Sequence, residues 1–231
     1  MPGPSEGRED ADVETSSEGY ARRFAGPLGA FFLDAQARTV LEVGGGHAQL
    51  AGPLVDAGHA VTVYGSDPAC AARLHPWTDD GRVGFRAGDL LRAPWPDRSF
   101  DVVLAFRLLP HVTRWAALIA ELARLARRAV VVDYPTRRSL NVASGALFGL
   151  KRGVEGNTRP FTVFRDAEVA SAFAAAGFFA TARRPQFLLP MALYRALGSA
   201  PLARALEGGA RALGLTAVLG SPVISRLERR G

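Results

Sequence analysis

Thr39-Val40-Leu41-Glu42-Val43-Gly44-Gly45-Gly46-His47-Ala48 is the stretch from which the rest of the chain can be read. The short apolar run Thr39 to Val43 has the character of a buried strand, and it ends in three glycines, where the backbone can turn tightly. Beyond them Leu50, Leu54 and Val55 share a helical face and Gly58 supplies a stop, so the glycines join a strand to a helix. Amides at such a helix start, with no side chains to hold a ligand off, suit a polar or anionic group, although a plain tight turn also uses glycine. Glu42 adds weight to the ligand reading. A carboxylate inside the end of a buried strand is costly unless it serves a structural hydrogen bond or a ligand.

The same alternation continues on both sides. Ala60 to Tyr64 predicts a second strand, and Gly65-Ser66-Asp67-Pro68 then starts a helix with Asp67 as N-cap and Pro68 in the first helical position. Further strands are expected at Val83 to Ala87, Phe100 to Ala105 and Ala129 to Asp133. Trp115, Leu118, Ile119, Leu122 and Leu125 mark one face of a helix between the last two. Continuously apolar strands alternating with helices imply an α/β fold: a Rossmann-like, doubly wound, mostly parallel sheet with helices on both faces. Upstream, Tyr20, Phe24, Leu28, Phe31 and Phe32 recur near helical spacing, interrupted by Gly26-Pro27. Downstream, a basic stretch from Arg137 to Thr158 reads as an insertion, followed by a helix from Asp166 to Ala176 that ends at Gly177-Phe178. The apolar patches and Gly/Pro breaks from Phe187 to Ile224 read as helices lying on the domain surface. The expected organisation is an acidic disordered tail over 1–19, a main domain over 20–186 with an insertion near 137–160, and a helical addition over 187–231.

Composition narrows the class. The chain of 231 residues is 48% hydrophobic and 22% charged, enough for one sizeable core. The lone cysteine, Cys70, excludes an internal disulfide, and no Cys/His cluster has metal-ligand spacing, so no metal site is expected. The net charge of +6 invites a nucleic-acid reading, but every basic residue except Lys151 is arginine, a skew that looks compositional rather than like a clustered footprint. The first nineteen residues are acidic, with Glu6, Glu9, Asp10, Asp12, Glu14 and Glu18 against Arg8. They lack the basic and apolar regions of a secretory signal, and no apolar run is long enough to span a membrane, so a cytoplasmic location is expected.

In an open α/β sheet a ligand sits beyond the carboxyl ends of the strands, so the residues following each strand carry the functional reading. Asp67 lies about 20 residues beyond Gly46, where a nucleoside-binding fold presents a carboxylate to ribose hydroxyls. Asp89, in Gly88-Asp89-Leu90, follows the third strand, where a carboxylate can accept from an exocyclic amine while the apolar neighbour packs on a base. Helix capping by Asp67 and loop closure by Asp89 are the structural alternatives.

From Val40 to Phe178 the chain resembles the class I S-adenosylmethionine-dependent methyltransferases. The resemblance rests on the order VLEVGGGHA, GHAVTVYGSD, AGDLLRAPWPDRSFDVVLAFRLLPHV, then a helix and AVVVDYP, then a helix and GF. It implies that the cofactor is S-adenosyl-L-methionine, that Glu42, Gly44, Gly45 and Gly46 contact its methionine portion, and that the acid after the second strand holds ribose. It further implies that Asp89 and Leu90 hold adenine and that Phe106 with Arg107 borders the sulfonium. Two positions depart from the family pattern: Ala48 stands where another glycine is common, and Gly65 stands where the ribose acid is usual, with Asp67 two residues late.

Such a cofactor brings an already activated methyl group, so the protein chiefly aligns a nucleophile and excludes water. His111, after the fourth strand, is the expected general base by position and pKa range, with capping or packing as its bland alternative; His47 is a second candidate. Tyr20 and Arg23 suit a lid. Arg137, Arg138, Arg152, Arg159 and Arg165 suit recognition of an anionic acceptor or simply a solvated face. The expected activity is methyl transfer to a small molecule, hydrophobic or anionic, with oxygen, nitrogen and carbon nucleophiles all open. The apolar tail offers room for a lipid-like acceptor or a homodimer interface. A methyltransferase-like scaffold without catalysis and a nucleic-acid methyltransferase are the alternatives; Phe106-Arg107-Leu108-Leu109 lacks the polar, aromatic tetrapeptide that would hold a flipped base. A nicotinamide-dependent oxidoreductase ranks lower, since Gly44-Gly45-Gly46-His47-Ala48-Gln49 lacks the third spaced glycine.

Overall fold

A computed structural model describes residues 37–44, 50–139, 160–189 and 198–230. The expected tail over 1–19, Tyr20 and Arg23, Gly45 to His47, and most of the insertion near 137–160 lie outside those residues. The elements are β1 (Thr39–Val43), α1 (Ala51–Asp56), β2 (Ala60–Gly65), a 3-10 turn (Pro68–Arg73), α2 (His75–Thr78), β3 (Val83–Ala87), β4 (Phe100–Ala105), α3 (Trp115–Leu125), β5 (Ala126–Tyr134), α4 (Asp166–Ala175), β6 (Phe178–Phe187), α5 (Ala200–Ala212), α6 (Leu215–Leu219) and β7 (Ser221–Arg229).

The strands form one seven-stranded sheet in the order β3-β2-β1-β4-β5-β7-β6. The first five are parallel, and β7 runs antiparallel to both of its neighbours. Every residue of β4 is buried, and successive residues serve opposite layers. Val103 and Ala105 pack with Leu118, Leu122, Val169 and Phe173 from α3 and α4. Val102 and Leu104 pack with Leu50, Leu54 and Leu74 on the other side. The strands read as continuous apolar runs because both faces are covered.

Asp101 ties the start of this sheet together. Its carboxylate accepts from the Arg38 and Thr39 amides and the Thr39 hydroxyl, and pairs with Arg127 at 2.6 Å. Burial pushes its pKa up, but those donors outweigh burial and hold the carboxyl below its ordinary value.

The expected helical addition over 187–231 is corrected in part. α5 and α6 lie there, but Ser221–Arg229 is a strand inserted between β5 and β6, with Val131 opposite Arg226 and Asp133 opposite Ile224. β5 also begins three residues earlier than expected, at Ala126. α5 is packed inside out: Ala203, Glu207 and Ala210 are buried, while Leu202, Leu206 and Leu213 are exposed. Glu207 accepts the Leu188 and Leu189 amides at 3.0 and 2.9 Å, so the buried acid terminates β6 by satisfying its last N–H groups.

Candidate active site

The sheet changes winding direction between β1 and β4, since the chain runs outward through β2 and β3 and then returns to pair β4 with β1. The crevice beyond the carboxyl ends at that point is where an open α/β sheet accepts a ligand. Glu42, Gly44, Asp67, Asp89, Phe106 and Asp133 all end or follow strands at this rim.

Glu42 is held between Val63 of β2 and Leu104 of β4 and is only 6% exposed. Burial raises its pKa from 4.5 to about 7, against a lowering by the Leu50 backbone amide at the start of the following helix. Its Oε2 is buried without a hydrogen-bond partner among the described residues. A buried carboxylate oxygen without a donor is an expensive arrangement, and its place beside a glycine turn is the clearest ligand-directed feature of the rim. Gly44 follows with φ +89°, a left-handed conformation that glycine adopts freely, and its amide donates to the Tyr64 carbonyl at 2.8 Å. A Cβ at Gly44 would come within 2.9 Å of the Leu108 side chain, so the loop after β4 lies directly over the turn after β1.

The end of β2 carries the cap that the sequence leads one to expect. Asp67 Oδ1 accepts the Ala69 amide at 2.7 Å and caps the 3-10 turn, with Pro68 in its first position. Gly65 is buried, and a Cβ there would lie 3.1 Å from Cys70 Cβ and 3.3 Å from both Cys70 Sγ and the Phe85 ring. The turn therefore packs so closely on the strand end that a larger residue at 65 forces a shift, which accounts for glycine at this position.

Asp89 is exposed. Its Oδ1 accepts the Leu91 amide at 2.9 Å, leaving Oδ2 without a partner among the described residues. Leu90 is partly buried against the core layer that includes Tyr64. Phe106 is partly buried against the opposite layer, immediately after β4.

Arg107 has φ +54°, a left-handed conformation that disfavours a residue bearing Cβ. Its amide donates to the buried Asp133 carboxylate at 2.6 Å, so the end of β5 holds the loop after β4 in place. Sequence reasoning missed Asp133 as a site residue. The signal was present, because an acid closing the apolar run Val130-Val131-Val132 poses the same burial problem as Glu42.

His111 closes a 3-10 turn, Leu109–His111, and is exposed beside Phe161, with ring centroids 5.6 Å apart. Its Nδ1 lies 3.2 Å from the Pro160 carbonyl oxygen. A carbonyl only accepts, so Nδ1 carries the hydrogen and Nε2 keeps a lone pair, the tautomer a general base needs. His59 is placed elsewhere, bonding the Ala37 carbonyl before β1, and His75 faces Asp79 on the surface. Arg137 and Arg138 are exposed near the rim, whereas Arg165 precedes α4 and its amide donates to Glu168. No group of three or more potential metal ligands occurs among the described residues. None of their helices is long and apolar enough to cross a membrane.

Comparison with known proteins agrees with this geometry. Residues 41–132 match the model of a methyltransferase domain family. A probable S-adenosylmethionine-dependent methyltransferase from Mycolicibacterium smegmatis is 32% identical over 108 residues, 47% of this chain and 41% of the relative, so the match spans less than half of that protein. The fold is similar to magnesium protoporphyrin IX methyltransferase from Synechocystis PCC 6803, solved with bound S-adenosylhomocysteine (TM-score 0.66, 16% identity, 95% of this chain and 86% of that one). It is also similar to 1,6-didemethyltoxoflavin-N1-methyltransferase from Burkholderia thailandensis (TM-score 0.59, 18% identity, 98% and 85%). The family-model match runs from β1 to β5, and the sheet those strands build belongs to the fold of these solved methyltransferases.

Proposed function

We propose that this chain binds S-adenosylmethionine at the β1–β4 rim and transfers its methyl group to a small-molecule acceptor. The observation that carries the reading is Glu42 Oε2, buried beside Gly44 and without a donor among the described residues. The methionine portion of the cofactor offers an ammonium group, the kind of donor that a desolvated carboxylate oxygen lacks here. Glu42 and Gly44, with Gly45 and Gly46, would hold that end. Asp89 would accept from the adenine amine and Leu90 would pack on the base. Phe106 would border the reacting end. Asp67, whose Oδ1 caps its own turn, would hold the ribose hydroxyls through Oδ2.

The bound cofactor supplies a methyl carbon made electrophilic by a positive sulfur. The chain's own residues have the remaining tasks. Leu108 and Phe106 line the rim with apolar surface that excludes water, Asp133 fixes the loop that carries them, and His111 Nε2 takes a proton from the acceptor. Both methyltransferases of similar fold named above carry small-molecule substrates in their names, which supports a small acceptor.

The reading is tested by incubating the protein with cofactor carrying a labelled methyl group and a panel of small carboxylates, amines and phenols. Transfer to one class, with kcat lowered about a hundredfold or more in His111→Gln and S-adenosylhomocysteine affinity unchanged, is the expected result. Absence of binding to S-adenosylhomocysteine would remove the cofactor assignment.

A further inference from the structure

Tyr64 occupies the last buried side-chain position of β2 before the glycine at its end. It is 2% exposed, in the layer that holds Trp95 and Phe100. Its ring meets Trp95 edge-on at 5.1 Å, and Trp95 in turn meets Phe100 at 5.4 Å. These contacts leave the ring one orientation, and in that orientation the hydroxyl reaches the loop after β3 and donates to the Asp89 carbonyl at 3.2 Å. Burial pushes the hydroxyl's pKa up, and the Asp89 and Glu121 charges push the same way, so it stays a donor across the physiological range. Gly88 makes room for this approach: a Cβ on Gly88 would collide with the Tyr64 hydroxyl. A second link runs from the Gly88 amide to the Gly65 carbonyl at 2.9 Å. The loop carrying Asp89 and Leu90 is therefore bolted to the end of β2 by one side chain and one backbone bond.

We infer that Tyr64 is a positioning residue for recognition of the nucleoside base, setting the Asp89-Leu90 loop through its hydroxyl. The inference rests on the proposed cofactor reading. The buried phenol fixes the Asp89 carbonyl and with it the loop backbone, and the bond from the Leu91 amide to Oδ1 then orients the side chain, so that Oδ2 is presented where an exocyclic amine can donate to it.

The test is calorimetric titration of the full chain with S-adenosylhomocysteine and with its 6-oxo analogue, S-inosylhomocysteine, which replaces the amine with a carbonyl. Wild type should bind the adenosyl compound and discriminate against the inosyl one. Tyr64→Phe should weaken S-adenosylhomocysteine by about threefold to tenfold and shrink the discrimination by a similar factor. Gly88→Ala, which keeps Tyr64 and displaces its hydroxyl, should give the same loss. Unchanged affinity and discrimination in Tyr64→Phe and Gly88→Ala would overturn the inference while leaving the cofactor reading standing. A drop in melting temperature with both affinities intact would assign Tyr64 to the core alone and overturn it equally. Failure of wild type to bind S-adenosylhomocysteine would overturn the cofactor reading itself.

Discussion

Replacing Glu42 with glutamine should stabilise the protein at alkaline pH and abolish its affinity for the cofactor product. The folded carboxyl has a pKa of about 7 against 4.5 for the free group, so the folded state holds the proton more tightly than the unfolded chain does. Stability from this group is fully present below 4.5 and is lost as the pH rises through about 7. The difference amounts to about 3 kcal/mol, at about 1.4 kcal/mol per pH unit. Glutamine carries no charge to desolvate, although its amide N–H groups find few acceptors in a site that held an unpartnered oxygen. The expected gain at pH 8 is therefore about 1–3 kcal/mol. Denaturant titrations of wild type and Glu42→Gln at pH 4.5, 6 and 8 measure it, and the two curves should converge at the lowest pH. In parallel, calorimetry at pH 8 should show S-adenosylhomocysteine binding weakened by at least about thirtyfold in the variant, the cost of losing a charge-assisted bond to a desolvated acceptor. Wild-type binding should strengthen from pH 6 to 8 with release of a fraction of a proton, seen as heats that vary with buffer ionisation enthalpy. A Glu42→Gln protein that is less stable than wild type at pH 8, or that binds the ligand as tightly, would refute the reasoning.

Other outcomes follow from the loops at the rim. Arg107 sits at φ +54°, so Arg107→Gly should be near neutral, whereas Arg107→Val should be less stable than the glycine variant by about 1–2 kcal/mol in chemical denaturation. Asp133→Ala removes the acceptor of the Arg107 amide and should cost about 1–3 kcal/mol, with a fall in turnover larger than any change in S-adenosylhomocysteine affinity. Asp67→Ala should cost about 1 kcal/mol through its lost cap, measured by melting temperature.

The centre of the parallel half was legible because β1 and β4 are covered on both faces and spell largely apolar runs. Thr39–Val43 and Phe100–Ala105 emerged with the bounds expected of them. Gly58 and Gly177, at φ +89° and +79°, ended their helices as read. β7 was not legible. Ser221-Pro222-Val223-Ile224-Ser225-Arg226-Leu227-Glu228-Arg229 mixes apolar and charged residues, as a surface segment does. Yet Arg226 is buried, with Glu228 2.7 Å from its Nε. The strand's place is set by pairings about 90 to 100 residues apart with β5 and about 35 to 50 apart with β6, and local pattern carries no trace of those. In α5, Glu207 faces inward and Leu202 and Leu206 outward, because the Leu188 and Leu189 amides just beyond β6 supply the acid with two donors.

At the site, Glu42 was legible from its chemistry, an acid inside an apolar strand. Asp67 was legible as a cap from the proline that follows it, and the 2.7 Å bond from the Ala69 amide bears that out. The role of Tyr64 was hidden because an aromatic at the end of a strand looks like core. Its hydroxyl gains meaning only once the loop after β3 folds back over it.

The central claim is that the β1–β4 rim holds an adenosyl amino-acid cofactor through Glu42. A crystal structure of the full chain with S-adenosylhomocysteine tests it most directly. The account predicts the ligand's ammonium within hydrogen-bond distance of Glu42 Oε2 and the base against Leu90 with its amine on Asp89. Density for the ligand away from this rim, or no ligand donor on Glu42 Oε2 in the complex, would contradict it.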